Sequence, residues 1–182
     1  MKLMIASDIH GSARWCGKLM EAMKAEAPDR LILLGDLLYH GPRNDLPEEY
    51  APKLVIAQLS AIQPRPLCVR GNCEAEVDQM VLPFPVMADY AALFLDGHTL
   101  YLTHGHTHGE DNPPPLQKGD ILLCGHTHVP VLRRHESFTY VNPGSVSIPK
   151  NGSAHSYCML EDGVMTWKDL GHDCAAYDTQ RL

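Results

Sequence analysis

The chain has 182 residues, of which 45% are hydrophobic and 20% charged, and this suits a single soluble domain over 1–182. Its formal net charge of −7 argues against broad nucleic-acid or anionic-membrane binding, which need a basic surface. The sequence carries no repeat period, no low-complexity run and no uninterrupted apolar stretch of about 20 residues, which excludes solenoid, disordered and membrane-spanning readings.

Leu3–Ala6 reads as a short buried strand; its apolar run is too short for a secretory leader and meets Asp8 at once. Ser12 is placed to cap a helix whose apolar positions Trp15, Leu19 and Met23 recur every four residues, as core positions do. After Pro28, Arg30–Leu34 gives a second buried strand that ends at Gly35-Asp36. Pro47-Glu48-Glu49 puts proline and acids where a helix N-terminus favours them, with Leu54, Val55, Leu59 and Ile62 as the apolar face. Pro66–Arg70 is a third strand, ending at Gly71-Asn72. The first half is therefore βαβαβ, with polar residues at each strand's C-terminal end, the edge where open α/β sheets bind ligands.

The second half is rich in strands. Tyr90–Leu95 and His98–Thr103 flank Asp96-Gly97, a hairpin signal. A loop containing Pro113-Pro114-Pro115 precedes a buried strand at Ile121–Cys124, and further strands are expected at Val131–His135, Thr139–Asn142, Ser156–Leu160 and Val164–Asp169. Residues 171–182 read as a polar C-terminal tail. The expected fold is α/β: a two-sheet β-sandwich flanked by helices on its outer faces. The six cysteines form no C-x-x-C pair, and Cys68 and Cys124 lie in apolar runs as small hydrophobes, so a reduced, cytoplasmic protein is expected.

Five loop motifs follow apolar runs: Asp8-Ile9-His10, Gly35-Asp36, Gly71-Asn72-Cys73-Glu74, Thr103-His104-Gly105 and Gly125-His126-Thr127-His128. A single Asp-x-His or Gly-Asp is usually a turn or a cap; repetition at strand ends is the informative feature. Carboxylate oxygen and imidazole nitrogen together suit Mn²⁺, Fe, Zn²⁺, Co²⁺ or Ni²⁺. Residues two apart on an extended segment project to one side, so Asp8 with His10, and His126 with His128, can each serve one site.

This series, with the Asn142-Pro143-Gly144-Ser145 turn, resembles that of the calcineurin-like metallophosphoesterases, and in particular their small bacterial and archaeal phosphodiesterase branch. The resemblance implies two divalent ions, manganese by the family's habit. Asp8, His10, Asp36 and His128 would hold one; Asp36, Asn72, His104 and His126 would hold the other, with Asp36 bridging. It further implies in-line attack on a small phosphodiester by a metal-bridging hydroxide, without a covalent protein intermediate. The alternatives are a phosphomonoesterase or nucleotidase, and a non-catalytic interaction scaffold like the family's eukaryotic sorting-complex subunit. A homo-oligomer is open, because sequence cannot place a self-association surface.

One motif departs from the family pattern. Cys73 stands where Gly-Asn-His is the commoner form, and that histidine assists the leaving group or holds the phosphate in the wider family. A thiol is a weak donor, so the departure predicts a preference for leaving groups that need little protonation, such as aryl esters. His106, two beyond His104, is a candidate phosphate contact or proton donor, with His108 a weaker one. Arg43 could pair with a phosphate oxygen through its planar fork. Asn44 and Asn142 are lesser candidates, and Glu74 reads as a helix-start or supporting residue.

Overall fold

The computed structural model describes residues 1–95 and 97–182. Asp96, on which the expected hairpin turn rests, lies outside the described residues.

A six-stranded sheet is built around three parallel strands, β1 (Leu3–Ala6), β2 (Arg30–Leu33) and β3 (Leu67–Cys68), joined by helices α1 (Ala13–Glu26) and α2 (Pro52–Ser60). On the other side of β1 it continues antiparallel through β9 (Ser156–Glu161), β10 (Val164–Asp169) and β11 (Ala175–Arg181). The second sheet runs β4-β5-β6-β8-β7, with β4 at Ala91–Leu95, β5 at His98–Leu102, β6 at Asp120–Leu123, β7 at Val131–Arg134 and β8 at Phe138–Asn142. Within it β5, β6 and β8 are parallel, and β4 pairs antiparallel with β5, Leu95 opposite His98.

Strand alternation sets the layers. Leu3 and Ile5 face the second sheet with Ile32, Leu100, Leu123 and Trp167, while Met4 and Ala6 face the helices with Leu19, Val55 and Leu59. Trp167 is 1% exposed, and its indole nitrogen donates to the Asn142 carbonyl at 2.9 Å, linking the two sheets at the site edge. Helices cover the outer face of the first sheet. The outer face of the second carries a smaller cluster of Leu122, Cys124, Phe138 and Tyr140, with Leu116 from the proline loop packed against it.

Ser12 caps α1 as expected, its hydroxyl accepting from the Trp15 amide at 3.3 Å. Three local expectations are corrected. Helix α2 begins at Pro52 instead of Pro47, because Ala13 and Ala51 amides bond to Glu49 and Gly11 carbonyls and pin the segment to the first motif loop. Leu54 consequently points outward at 58% exposure, leaving Val55 and Leu59 as the buried pair. A short helix α3 (Glu76–Val81) follows the third motif, with Asp78 accepting from the Ala75 amide at 2.9 Å. The polar tail is structured: residues 175–181 form β11, antiparallel to β10. Backbone ladder bonds hold this edge strand, so it needs none of the apolar alternation by which strands are recognised.

Candidate metal centre

Every parallel strand ends at the same rim, and each motif sits just beyond such an end: 8–10 after β1, 35–36 after β2, 71–74 after β3, 103–105 after β5 and 125–128 after β6. The turn after β8 fastens this rim together. Ser145 and Ser147 hydroxyls both donate to the Asp8 carbonyl, at 2.9 and 3.1 Å, and the Asn142 amide donates to the Gly125 carbonyl at 2.6 Å. Asn142 is thus a buried fixture tying the turn after β8 to the fifth motif, while the two serines tie the same turn to the first.

The loops are tight and strained. Asp8, His10, Asp36, His126 and His128 all have φ between 48 and 67°, a region that costs non-glycine residues energy and gathers at functional sites. Gly71 lies so close to Asp36 that a Cβ there would fall 2.1 Å from its Oδ1. The buried Glu74 carboxylate joins these same two loops, accepting from the amides of Asp36 at 2.9 Å, Leu37 at 2.7 Å and Gly71. Burial and the Asp36 charge push Glu74 up to about 7, against the three amides that hold it down.

The side chains converge as the sequence suggested. His10, His104 and His128 place Nδ1 on the carbonyls of Tyr39, Leu34 and Ile148, at 2.8, 2.6 and 2.6 Å. A carbonyl only accepts, so each Nδ1 carries a hydrogen and each Nε2 is the nitrogen turned inward, the arrangement that lets a histidine ligate a metal once Nε2 is free of its proton. His10 Nε2 and His128 Nε2 then face each other at 3.2 Å, and the Asp8 Oδ1 lies 3.1 Å from the latter and 3.6 Å from the former. Asp36 Oδ2 lies 3.4 Å from His104 Nε2 and 3.7 Å from His10 Nε2, between the two halves of the cluster. The Asn72 amide oxygen is 3.1 Å from His104 Nε2. Asp8 Oδ1 is buried with no hydrogen-bond partner among the described residues. Three inward Nε2 atoms and two buried carboxylates at these distances need positive charge among them, which protonated imidazole supplies without metal and a bound cation supplies in its place. The donor set therefore fits divalent metal, with Asp8, His10 and His128 in one group and Asp8, Asp36 and His104 in another.

Charge states agree. Burial opposes ionisation of Asp8, but the His10 and His128 imidazoles beside it, with His104, hold it well below the usual carboxylate range. Burial alone would depress His104, yet Asp36 and Asp8 outweigh it and lift the imidazole to about 9. His126 is pushed down to about 4 by burial and the neighbouring His104 cation, so it stays neutral and able to donate a lone pair. Its ring stands edge-on to His104 at 5.1 Å, one step outside the tight cluster.

The remaining candidates separate. Cys73 joins a third donor group with His10 and Asp36, its amide donating to Asp36 Oδ1 at 2.9 Å; burial and Asp36 raise its thiol, keeping it protonated. Arg43 lines a cavity of about 430 Å³ whose floor includes His10, Asp36 and His128. His106 is exposed and lines a neighbouring cavity with Tyr90 and His104, with its ring 6.2 Å from that of His126. Lys150, which the motif reading missed, lines the 430 Å³ cavity together with Arg43. Nothing local in the sequence around Lys150 marks it; only the path of the turn after β8 brings it there.

Residues 1–162 match the calcineurin-like phosphoesterase superfamily domain. The chain belongs to that superfamily. The phosphodiesterase YfcE of Escherichia coli K12 is 47% identical over 166 residues, which span 91% of this chain and 90% of that protein. The solved structure of the E. coli phosphoesterase Yfce superposes with a TM-score of 0.95 at 44% identity, covering 100% of this chain and 99% of the other. Vps29 from Entamoeba histolytica matches at a TM-score of 0.65 with 17% identity, covering 100% of this chain and 98% of that one, a likeness of fold alone. The metallophosphoesterase thus has a two-sheet architecture in common with YfcE and a donor cluster that suits its family's need for metal. No helix of the described residues is long and apolar enough to cross a membrane.

Proposed function

We propose that this phosphoesterase is a phosphodiesterase working with two divalent transition-metal ions. The observation that carries the reading is the inward convergence of three Nε2 atoms with two buried carboxylates. The 47% identity with a phosphodiesterase supports the choice of ester class.

Asp8, His10 and His128 would hold one ion, and His104, Asn72 and His126 the other, with Asp36 serving both from its position between His10 and His104. Bound there, such ions supply a water acidified for attack and neutralise charge on the phosphoryl oxygens. The chain's own residues do the positioning. Three backbone carbonyls fix the imidazole tautomers, and Glu74 fixes the two loops that present Asp36 and Asn72. Arg43 at the cavity rim orients the ester for in-line displacement, in which a solvent oxygen bonds to phosphorus as the bond to the leaving oxygen breaks. Cys73, neutral and beside Asp36, offers little proton to that leaving oxygen, which favours aryl esters. The six free cysteines support a reducing, cytoplasmic setting.

The test is hydrolysis of bis-p-nitrophenyl phosphate and p-nitrophenyl phosphate by metal-stripped protein, with Mn²⁺, then Co²⁺, Ni²⁺ or Zn²⁺, restored. Diester hydrolysis that returns with metal is the expected result. Preference for the monoester would favour a phosphomonoesterase, and inactivity with metal bound would favour a scaffold.

Proton release gives a second check. The metal-free His104, lifted to about 9, holds a proton on Nε2 at neutral pH that a metal must displace. Apparent affinity should therefore fall by about tenfold per pH unit as the pH drops below about 9, for this one proton. Metal-free stability follows the raised-imidazole sign: the contribution is full below the ordinary 6.5 and lost as the pH rises through about 9. Calorimetric metal titrations in buffers of different ionisation enthalpy read the release directly; none at pH 7 would remove His104 from the ligand set.

A further inference from the structure

Two cations meet over the donor cluster from separate parts of the chain. Arg43 comes from the loop between β2 and α2, and Lys150 from the turn beyond β8; both line the 430 Å³ cavity. Both are exposed, and among the described residues neither has an acidic partner within 4 Å.

Both are carried on fixed backbone. The Lys150 amide donates to the His128 carbonyl at 3.2 Å, and its carbonyl accepts from the Ser153 amide and hydroxyl at 3.0 and 2.7 Å. Beside Arg43, the Asn44 side chain donates to the His40 carbonyl at 2.8 Å and its amide to the Gly41 carbonyl at 3.3 Å. Lys150 is thus tied directly to the strand-end segment that carries His128.

Charge counting says what such a pair is for. A phosphodiester carries one negative charge, and two divalent ions would already outweigh Asp8 and Asp36 on the cavity floor. With Arg43 on the reacting ester, Lys150 is a cation beyond what that group needs, in a chain whose net charge is −7. The surplus suits a second anion. A second cavity of about 500 Å³ shares Arg43, Asn44 and Asn72 with the first and is bordered by Tyr39, Pro42, Glu74 and Ala75, with no cation beyond Arg43 on its wall. The trough is therefore asymmetric, with a cationic end at Lys150 and a more neutral end at Tyr39.

We infer that Lys150 forms a subsite for a second phosphate, with Arg43 left to the reacting ester, making the preferred substrate a phosphodiester with a further phosphate on one arm. This rests on the phosphodiesterase reading. Lys150 is a specificity residue here: its ammonium contacts the additional phosphate, and the leaving arm lies towards Tyr39.

The test compares thymidine 5′-(p-nitrophenyl phosphate) bearing a 3′-hydroxyl with the same diester bearing a 3′-phosphate. Reacting group and leaving group are identical in the two. Mn²⁺-loaded wild-type enzyme should favour the 3′-phosphorylated compound in kcat/KM by about tenfold, mostly through KM, the size of one charge-assisted contact. Lys150→Met should abolish that preference and Lys150→Arg should retain it. Equal losses on both compounds would place Lys150 on the reacting phosphate, and no loss would make it a solvent residue; either overturns the subsite. If wild-type protein cleaves neither compound, the phosphodiesterase reading has failed, and binding of thymidine 3′,5′-bisphosphate against thymidine 5′-monophosphate decides the subsite by itself. Tighter binding of the bisphosphate that Lys150→Met removes would sustain it; indifference to the substitution would sink it.

Discussion

Asp36→Asn is expected to lower kcat/KM for an aryl diester by on the order of 10³-fold or more, at least the loss seen when a charge-stabilising group is removed from a dry site. Asp36 is 2% exposed, and its Oδ2 stands between His104 and His10, a position from which it can serve both halves of the cluster. An asparagine keeps an oxygen to accept from the Cys73 amide, as Asp36 Oδ1 does at 2.9 Å, and so preserves the loop. What it loses is the charge. In the metal-free protein that loss relieves repulsion with Asp8, but it also removes the carboxylate paired with the His104 cation, the stronger effect, since Asp36 is held below its ordinary value. The variant should therefore melt earlier than wild type without metal, and bind one ion where wild type binds two. Calorimetric stoichiometry beside kinetics reads both, and retention of a tenth of the activity would remove Asp36 from its bridging role.

Glu74→Ala should have the largest effect on stability, about 3 kcal/mol or more, because three buried amides lose their acceptor together. That is a large share of the ~5–15 kcal/mol that holds a typical domain folded. Glu74→Gln is the informative partner. Its one acceptor oxygen cannot serve amides that approach both carboxylate oxygens, so it should keep the fold while loosening the Asp36 and Asn72 loops. Supporting residues of this kind typically cost 10–100-fold in metal affinity when changed. Urea unfolding gives the first quantity and metal titration the second. A Glu74→Gln protein with wild-type metal affinity would reduce Glu74 to a stability element.

Much of the site was legible because its residues are punctuated by the fold. Asp8, Asp36, Asn72, His104 and His126 each follow an apolar run, and the βαβαβ pattern places such positions at one sheet edge. The Gly35-Asp36 and Gly71-Asn72 pairs were readable for a steric reason, since the two glycine backbones approach too closely for a Cβ. Other features were hidden from local pattern. Helix α2 carries its proline signal at Pro47, but hydrogen bonds to the first motif loop delay its start to Pro52. Strand β11 has no apolar alternation, because an edge strand is held by backbone bonds to a single neighbour.

Sequence alone determined the chemistry of the donor set and the order in which strands would deliver it, since residue type and strand-end position are local properties. Tertiary structure decided which donors meet. It set Asp36 between His10 and His104, turned Asn142 inward as a link between two loops, and sent His106 to a neighbouring cavity. It also brought Lys150 to the rim beside residues more than a hundred positions away in the chain. The physical reason is that a long-range approach depends on how two sheets stack and where their connecting turns pass, and no short stretch of sequence carries that information.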